Sequence, residues 1–124
     1  FYKVGVSVNT DGDRRIMSSQ GLDFRGREVL QFEDLADKLD GKLLMVANML
    51  DPFAPVSGTF RLATAFHKAN KRFDMLILPE AGHALDGNKL LRCWDYFVEH
   101  LLGEEPPKGF TMKTDKLFKW ELEG

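Results

Sequence analysis

Two residues of this 124-residue chain have types and a spacing that could do acid–base chemistry. His83 stands in the stretch LPEAGHALDG, residues 78–87, and Asp51 opens the stretch DPFAPVSG, 32 residues earlier. An imidazole titrates near neutrality and can serve as a general base, provided something fixes its orientation. A carboxylate bonded to one ring nitrogen does this, and it stabilises the imidazolium that forms when the base takes a proton. Read singly, both residues are bland. A histidine in a glycine-containing loop is usually just solvated, and an aspartate after a strand is usually a turn former. The chemistry depends on whether the fold brings them together.

The elements around them can be read from periodicity. YKVGVSV (2–8) has valines at period two and predicts a strand. The polar stretch NTDGDRR carries a turn signal at Asp11-Gly12, and residues 16–30 show no clear period beyond a short helical piece. FEDLADKLDG (32–41) predicts a short helix ended by Gly41. The apolar run within KLLMVANM (42–49) suits a strand buried on both faces. A helix follows at 57–69, with Phe60 and Ala63 on one stripe with Val56, and Leu62, Phe66 and Ala69 on the next. RFDMLILP (72–79) predicts a second buried strand. The final helix, about 87–102, carries Leu90, Trp94, Phe97, Val98 and Leu101 at helical spacing and stops at Gly103. From 104 the tail is expected to be irregular, with KLFKWELE (116–123) a short terminal strand or helix.

The order strand, connection, strand, helix, strand, helix implies an α/β fold with a parallel sheet. Parallel neighbours need right-handed crossovers, so the helix at 57–69 should pack on one face. Ligands of such sheets bind beyond the carboxyl ends of the strands. The loops at that edge are 48–56, holding Asp51, and 79–86, holding His83. Both residues are thus expected at the end of adjacent strands.

Composition narrows the alternatives. The chain is 44% hydrophobic and 29% charged, with a formal net charge of −2. That suits one ordinary globular domain and gives no electrostatic footprint for nucleic acid or an anionic membrane. No stretch approaches a membrane span. The single cysteine, Cys93, rules out an internal disulfide framework and a Cys-type zinc site, and its mid-helix position suggests packing. His67 is expected to be solvated, and His100 to be a packing or capping residue. Starting at Phe1, inside a strand, the chain reads as a piece of something longer.

A base needs a nucleophile to activate. In hydrolases of this architecture the triad order along the chain is Ser, then Asp or Glu, then His, and the serine sits in a Gly-x-Ser-x-Gly elbow between strand and helix. Asp51 and His83 fit the last two places. Ser7, Ser18, Ser19 and Ser57 all lack the flanking glycines or the elements that make an elbow. No metal-ligand spacing is present, and DPFAPV lacks the acidic repeats of a calcium loop.

Residues 41–107, GKLLMVANMLDPFAPVSGTFRLATAFHKANKRFDMLILPEAGHALDGNKLLRCWDYFVEHLLGEEPP, resemble the C-terminal end of the catalytic domain in the prolyl oligopeptidase family. The likeness is to its bacterial dipeptidyl peptidase IV-like branch. It rests on the apolar strand before Asp51, on TFRLATAFHKANKRFDMLILP, on Gly82-His83, on RCWDYFVEHLLG, and on the Asp51–His83 spacing. Residues 1–40 share it weakly, through FYKVGVSV as the strand after the nucleophile helix. The resemblance implies a three-layer αβα α/β-hydrolase fold, with residues 1–107 its C-terminal half and 108–124 a tail. It implies a serine peptidase cutting short peptides, in which Asp51 is the triad acid and His83 the base. The serine, the oxyanion groups and a β-propeller would precede Phe1. No cofactor is implied, and a periplasmic or secreted location is.

Ala47-Asn48 stands where the family has His-Gly, and Ala84 where it has glycine after the histidine. Phe53 and Ala54 occupy the loop that lines the substrate pocket, and Phe53 replaces a polar residue that anchors the substrate backbone. The departures imply an altered specificity or a degenerate member. Two readings follow. The chain is the C-terminal part of a serine peptidase, inert alone, with the missing N-terminal part, a peptide substrate and a possible second copy on its exposed sheet as partners. Alternatively it is a non-catalytic α/β binding or interaction module built on the hydrolase fold.

Overall fold

A computed structural model of the chain describes residues 2–10 and 31–112. Three parallel strands form one sheet in the order β1 (Val4–Val8), β2 (Lys42–Asn48), β3 (Asp74–Leu78). Helix α1 (Val56–Lys68) connects β2 to β3, and helix α2 (Gly87–Phe97) follows β3. The chain divides into two compact units, Phe1–His83 and Ala84–Gly124. The strands and α1 therefore belong to the first, and α2 to the second.

In the first unit, β2 is the centre. Met45, Val46 and Ala47 are fully buried, as the unbroken apolar run requires of a strand flanked on both sides. Successive side chains alternate faces. Leu43 and Met45 join Met75 on the α1 side, where Met45, Leu62, Phe66 and Ala36 form the core. The stripe Leu62, Phe66 and Ala69 is therefore the buried one, and Ala63 joins it. Thr59, also buried, donates its hydroxyl to the Thr10 carbonyl at 3.1 Å and so ties α1 to the end of β1.

Residues 32–41 differ from expectation. Phe32–Lys38 is a 3-10 helix, begun by a Gln31 N–H that donates to the Asp34 carboxylate, and Leu39 leaves it in extended backbone. Gly41 is not its cap. With φ +124°, Gly41 lies where β2 meets β1, and an added Cβ would stand 2.6 Å from the Lys3 carbonyl oxygen. Glycine is needed there because only it fits both the backbone angle and the close approach.

In the second unit, Asp86 caps α2 by accepting from the Lys89 N–H at 2.9 Å. The helix widens into a π-helical turn at Val98–Leu102 and stops at Gly103, which adopts a left-handed φ of +73°. The expected apolar stripe is not the buried one. Lys89, Leu91, Cys93 and Tyr96 are buried, whereas Trp94 and Leu101 are more than half exposed. Lys89, Cys93 and Tyr96 follow a helical spacing of their own, so the buried face of α2 is rotated away from Leu90 and Trp94, and the π turn adds drift only from Val98 onward. Lys89 is tolerated inside because its ammonium donates to the Ala84 carbonyl and lies 3.5 Å from Asp86. Cys93 is packed as expected, and burial pushes its thiol pKa up. His67 is exposed, and His100 packs edge-on against Tyr96 at 4.3 Å. Residues 103–112 form no helix or strand, while the expectations at 11–30 and 116–123 fall outside the described residues.

Candidate active site

The sheet register sets the site. Leu78, the last residue of β3, pairs with Asn48, the last of β2. Two further main-chain bonds zip the loops beyond: Met49 N–H donates to the Leu78 carbonyl at 3.1 Å, and Leu50 N–H to the Ala81 carbonyl at 3.0 Å. Asp51 comes one residue after the zip on one side, and His83 two residues after it on the other. A separation of 32 residues thus closes to a hydrogen bond.

His83 Nδ1 lies 2.8 Å from Asp51 Oδ2 and 3.0 Å from Oδ1. The carboxylate can only accept, so Nδ1 carries the hydrogen and donates. In the neutral ring, Nε2 is then the lone-pair nitrogen. The two partners have opposite environments. The Asp51 side chain is wholly covered, while the His83 side chain is 52% exposed. A buried carboxylate must be compensated, and the loop does so locally. The Phe53 and Ala54 N–H groups donate to Asp51 Oδ1 at 2.8 and 2.9 Å. Pro52 helps by lacking a competing N–H and fixing its own φ.

The same balance sets the ionisation of Asp51. Burial pushes its pKa up, but the N–H groups of Ala54 and Phe53, then the bond and charge of His83, outweigh it and leave the carboxyl below its ordinary value. It is therefore ionised near neutrality.

Phe53 and Ala54, expected in the substrate pocket, thus hold Asp51 through their backbones. The Phe53 ring also stands edge-on to the imidazole at 5.2 Å and 76°, with more than half its surface exposed. Ser7 lies in β1 with its hydroxyl against that of Thr10 at 2.5 Å, and Ser57 is exposed in the first turn of α1. Neither is near a hydrogen bond to His83.

Two residues have roles here that the sequence did not show: Asn9, and Asn48, which stood out only as a departure from the family's His-Gly. Asn9, directly after β1, donates Nδ2–H to the His83 carbonyl at 2.8 Å. Its Oδ1 accepts from Asn48 Nδ2, across the end of β2. The available signal was position: a polar residue ending an alternating strand at the carboxyl edge of the sheet.

The geometry invites comparison with known proteins. A dipeptidyl peptidase 4 from Porphyromonas gingivalis superposes with TM-score 0.62 at 24% identity over 83% of this chain. A puromycin-hydrolyzing peptidase from Mycobacterium tuberculosis gives 0.67 at 18% over 91%, and an acylaminoacyl peptidase from Pyrococcus horikoshii 0.61 at 16% over 95%. The chain has the α/β-hydrolase fold of these peptidases. It spans only 16%, 20% and 22% of their respective lengths. No family model matches the sequence, and no curated protein matches it. Asn9, Asp51 and His83 all follow the carboxyl ends of strands, the edge at which open α/β sheets in general bind ligands.

Proposed function

We propose that this chain is the C-terminal part of the catalytic domain of a serine peptidase of the prolyl oligopeptidase family. On this reading it supplies Asp51 and His83, and the serine is supplied by sequence preceding Phe1. The observation that carries the proposal is the Asp51–His83 pair: a covered, ionised carboxylate bonded to Nδ1 of a half-exposed imidazole at 2.8 Å. The fold shared with several peptidases supports it.

The chemistry then assigns itself by atom. His83 Nε2 takes the proton of the serine hydroxyl as its oxygen attacks the peptide carbonyl, and later gives that proton to the departing amine. Asp51 stays ionised throughout and stabilises the imidazolium. The exposed ring of Phe53, beside the imidazole, offers apolar contact to a substrate side chain. It has no hydrogen-bonding group with which to hold a substrate backbone.

The test is labelling with a fluorophosphonate. The chain joined to its preceding segment should label on a serine outside residues 1–124, and His83→Ala should abolish the label. Labelling of the 124-residue chain alone would refute the assignment, as would labelling of the joined protein that survives His83→Ala.

A further inference from the structure

A base held only by its acid still needs its loop fixed, because main-chain displacement moves the ring off the carboxylate. Building on the reading of His83 as base, we propose that Asn9 is a positioning residue for His83, locking its loop to the end of β1 through an amide relay.

The relay has one consistent set of hydrogen-bond directions. The His83 carbonyl can only accept, so Asn9 must present its NH2 to it, at 2.8 Å. That leaves Asn9 Oδ1 facing Asn48, which must present its own NH2. Reversing either amide sets acceptor against acceptor. The Asn9 nitrogen is 3.5 Å from His83 Nδ1, too long to compete for it, so the Asp51 bond is left intact. Asn48 is 2% exposed, at the end of the fully buried part of β2. It gives Asn9 a rigid neighbour, and the Asn9 N–H further ties the residue to the Val46 carbonyl at 3.1 Å. Asn9 itself has φ +54°, a left-handed backbone that asparagine tolerates better than most residues. The relay therefore joins the ends of β1 and β2 to the main chain of the base.

The left-handed backbone decides which variants test this. Asn9→Ala would add strain to the lost amide, whereas Asn9→Gly keeps the backbone and removes only the side chain. Asn9→Asp also tolerates the backbone, but it sets a carboxylate oxygen against the His83 carbonyl. The readout is 15N NMR of the His83 imidazole in the full chain: the tautomer of the neutral ring, and solvent exchange of Nδ1–H. A purely structural role would move the urea midpoint and leave both signals alone.

The Nδ1–H tautomer should dominate in the unaltered protein. Asn9→Gly removes both side-chain bonds of the relay, and loss of the one to the His83 carbonyl should speed Nδ1–H exchange roughly two- to tenfold and bring up the Nε2–H tautomer. Asn9→Asp should do at least as much, and Asn48→Ala should shift the signals the same way by less. Unaltered signals in both folded Asn9 variants would overturn the proposal. Asp51→Asn separates the two levels of inference. If it alone moves the imidazole signals, positioning by Asn9 is wrong and the Asp51–His83 pair stands. If it too leaves them unmoved, both are wrong.

Discussion

Replacing Asp51 by asparagine tests the electrostatics of the site with almost no change of shape. The carboxylate accepts from Phe53 N–H at 2.8 Å, Ala54 N–H at 2.9 Å and His83 Nδ1–H at 2.8 Å. An asparagine Oδ1 can keep the two main-chain donors, but as neutral bonds rather than charge-assisted ones. The difference is on the order of 1 kcal/mol for each. Against this, the amide removes the cost of burying a charge in a fully covered position. The two effects partly offset, and Asp51→Asn should destabilise by about 1–2 kcal/mol at neutral pH. A urea slope of roughly 1–3 kcal/mol/M turns this into a midpoint drop on the order of 1 M or less.

The pH dependence gives a sharper criterion. The folded Asp51 carboxyl titrates below its ordinary value, because the Ala54, Phe53 and His83 donors outweigh the upward push of burial. A depressed folded pKa means that the unfolded chain binds more protons across the interval. The stabilisation is then complete above the unfolded value of about 3.9 and fades as pH falls through the lower folded one. Urea midpoints for the two proteins should therefore differ at pH 7 and converge at acid pH. The imidazole must respond as well. An asparagine NH2 facing Nδ1 needs an acceptor there, so the ring proton moves to Nε2 and the base loses its outward lone pair. Equal midpoints at pH 7, a gap that persists unchanged below pH 4, or an imidazole that keeps its proton on Nδ1 would each refute this account.

Other substitutions separate structure from chemistry. His83→Ala should cost under about 1 kcal/mol in urea unfolding, since the side chain is half exposed, yet eliminate fluorophosphonate labelling of the joined protein. Gly41→Ala should destabilise by about 1–3 kcal/mol, because its Cβ would stand 2.6 Å from the Lys3 oxygen at φ +124°. Gly82→Ala should stay within about 0.5 kcal/mol, its Cβ meeting only the Leu50 oxygen at 3.9 Å. Phe66→Ala, at a 5% exposed core position, should cost about 3–5 kcal/mol by urea denaturation. Cys93, buried and with its thiol pKa raised by burial, should react with an aromatic disulfide reagent more slowly in the folded chain than in concentrated urea.

Strand β2 was legible because burial on both faces leaves a mark in composition, the unbroken run from Leu43 to Ala47, whereas β3, also expected to be buried, flanks β2 on one side and has no buried residue in Asp74–Leu78. Helix α1 was legible for a different reason, the recurrence of Leu62, Phe66 and Ala69 at helical spacing. Once these elements alternate, the parallel sheet follows, and Asp51 and His83 fall at one edge of it. Other features depend on approach in three dimensions. Gly41 looks like a helix stop in sequence, and only its distance to Lys3 shows it to be a strand-contact glycine. Lys89 looks like a surface residue until the Ala84 carbonyl and Asp86 are seen to receive its ammonium. Asn9 and Asn48 were hidden for a related reason: a side-chain amide shows its role only through the donor or acceptor placed opposite it.

Those amides also show why the site's chemistry has a single direction. Asp51 is the one side chain of the site whose hydrogen-bonding role is fixed in advance, because its net stabilised charge keeps it acceptor-only. Its role sets the tautomer of His83 and leaves Nε2 as the basic nitrogen. The His83 carbonyl, another fixed acceptor, sets Asn9, and Asn9 sets Asn48. The mismatch is pushed to the far end, where Asn48 Oδ1 is buried with no partner among the described residues. An unpaired buried carbonyl costs on the order of 1–3 kcal/mol. Its position does little harm to the chemistry, since it is two hydrogen bonds removed from the main chain of His83 and does not touch the imidazole. The covered carboxylate can thus hold its charge while the half-exposed ring remains open to exchange protons.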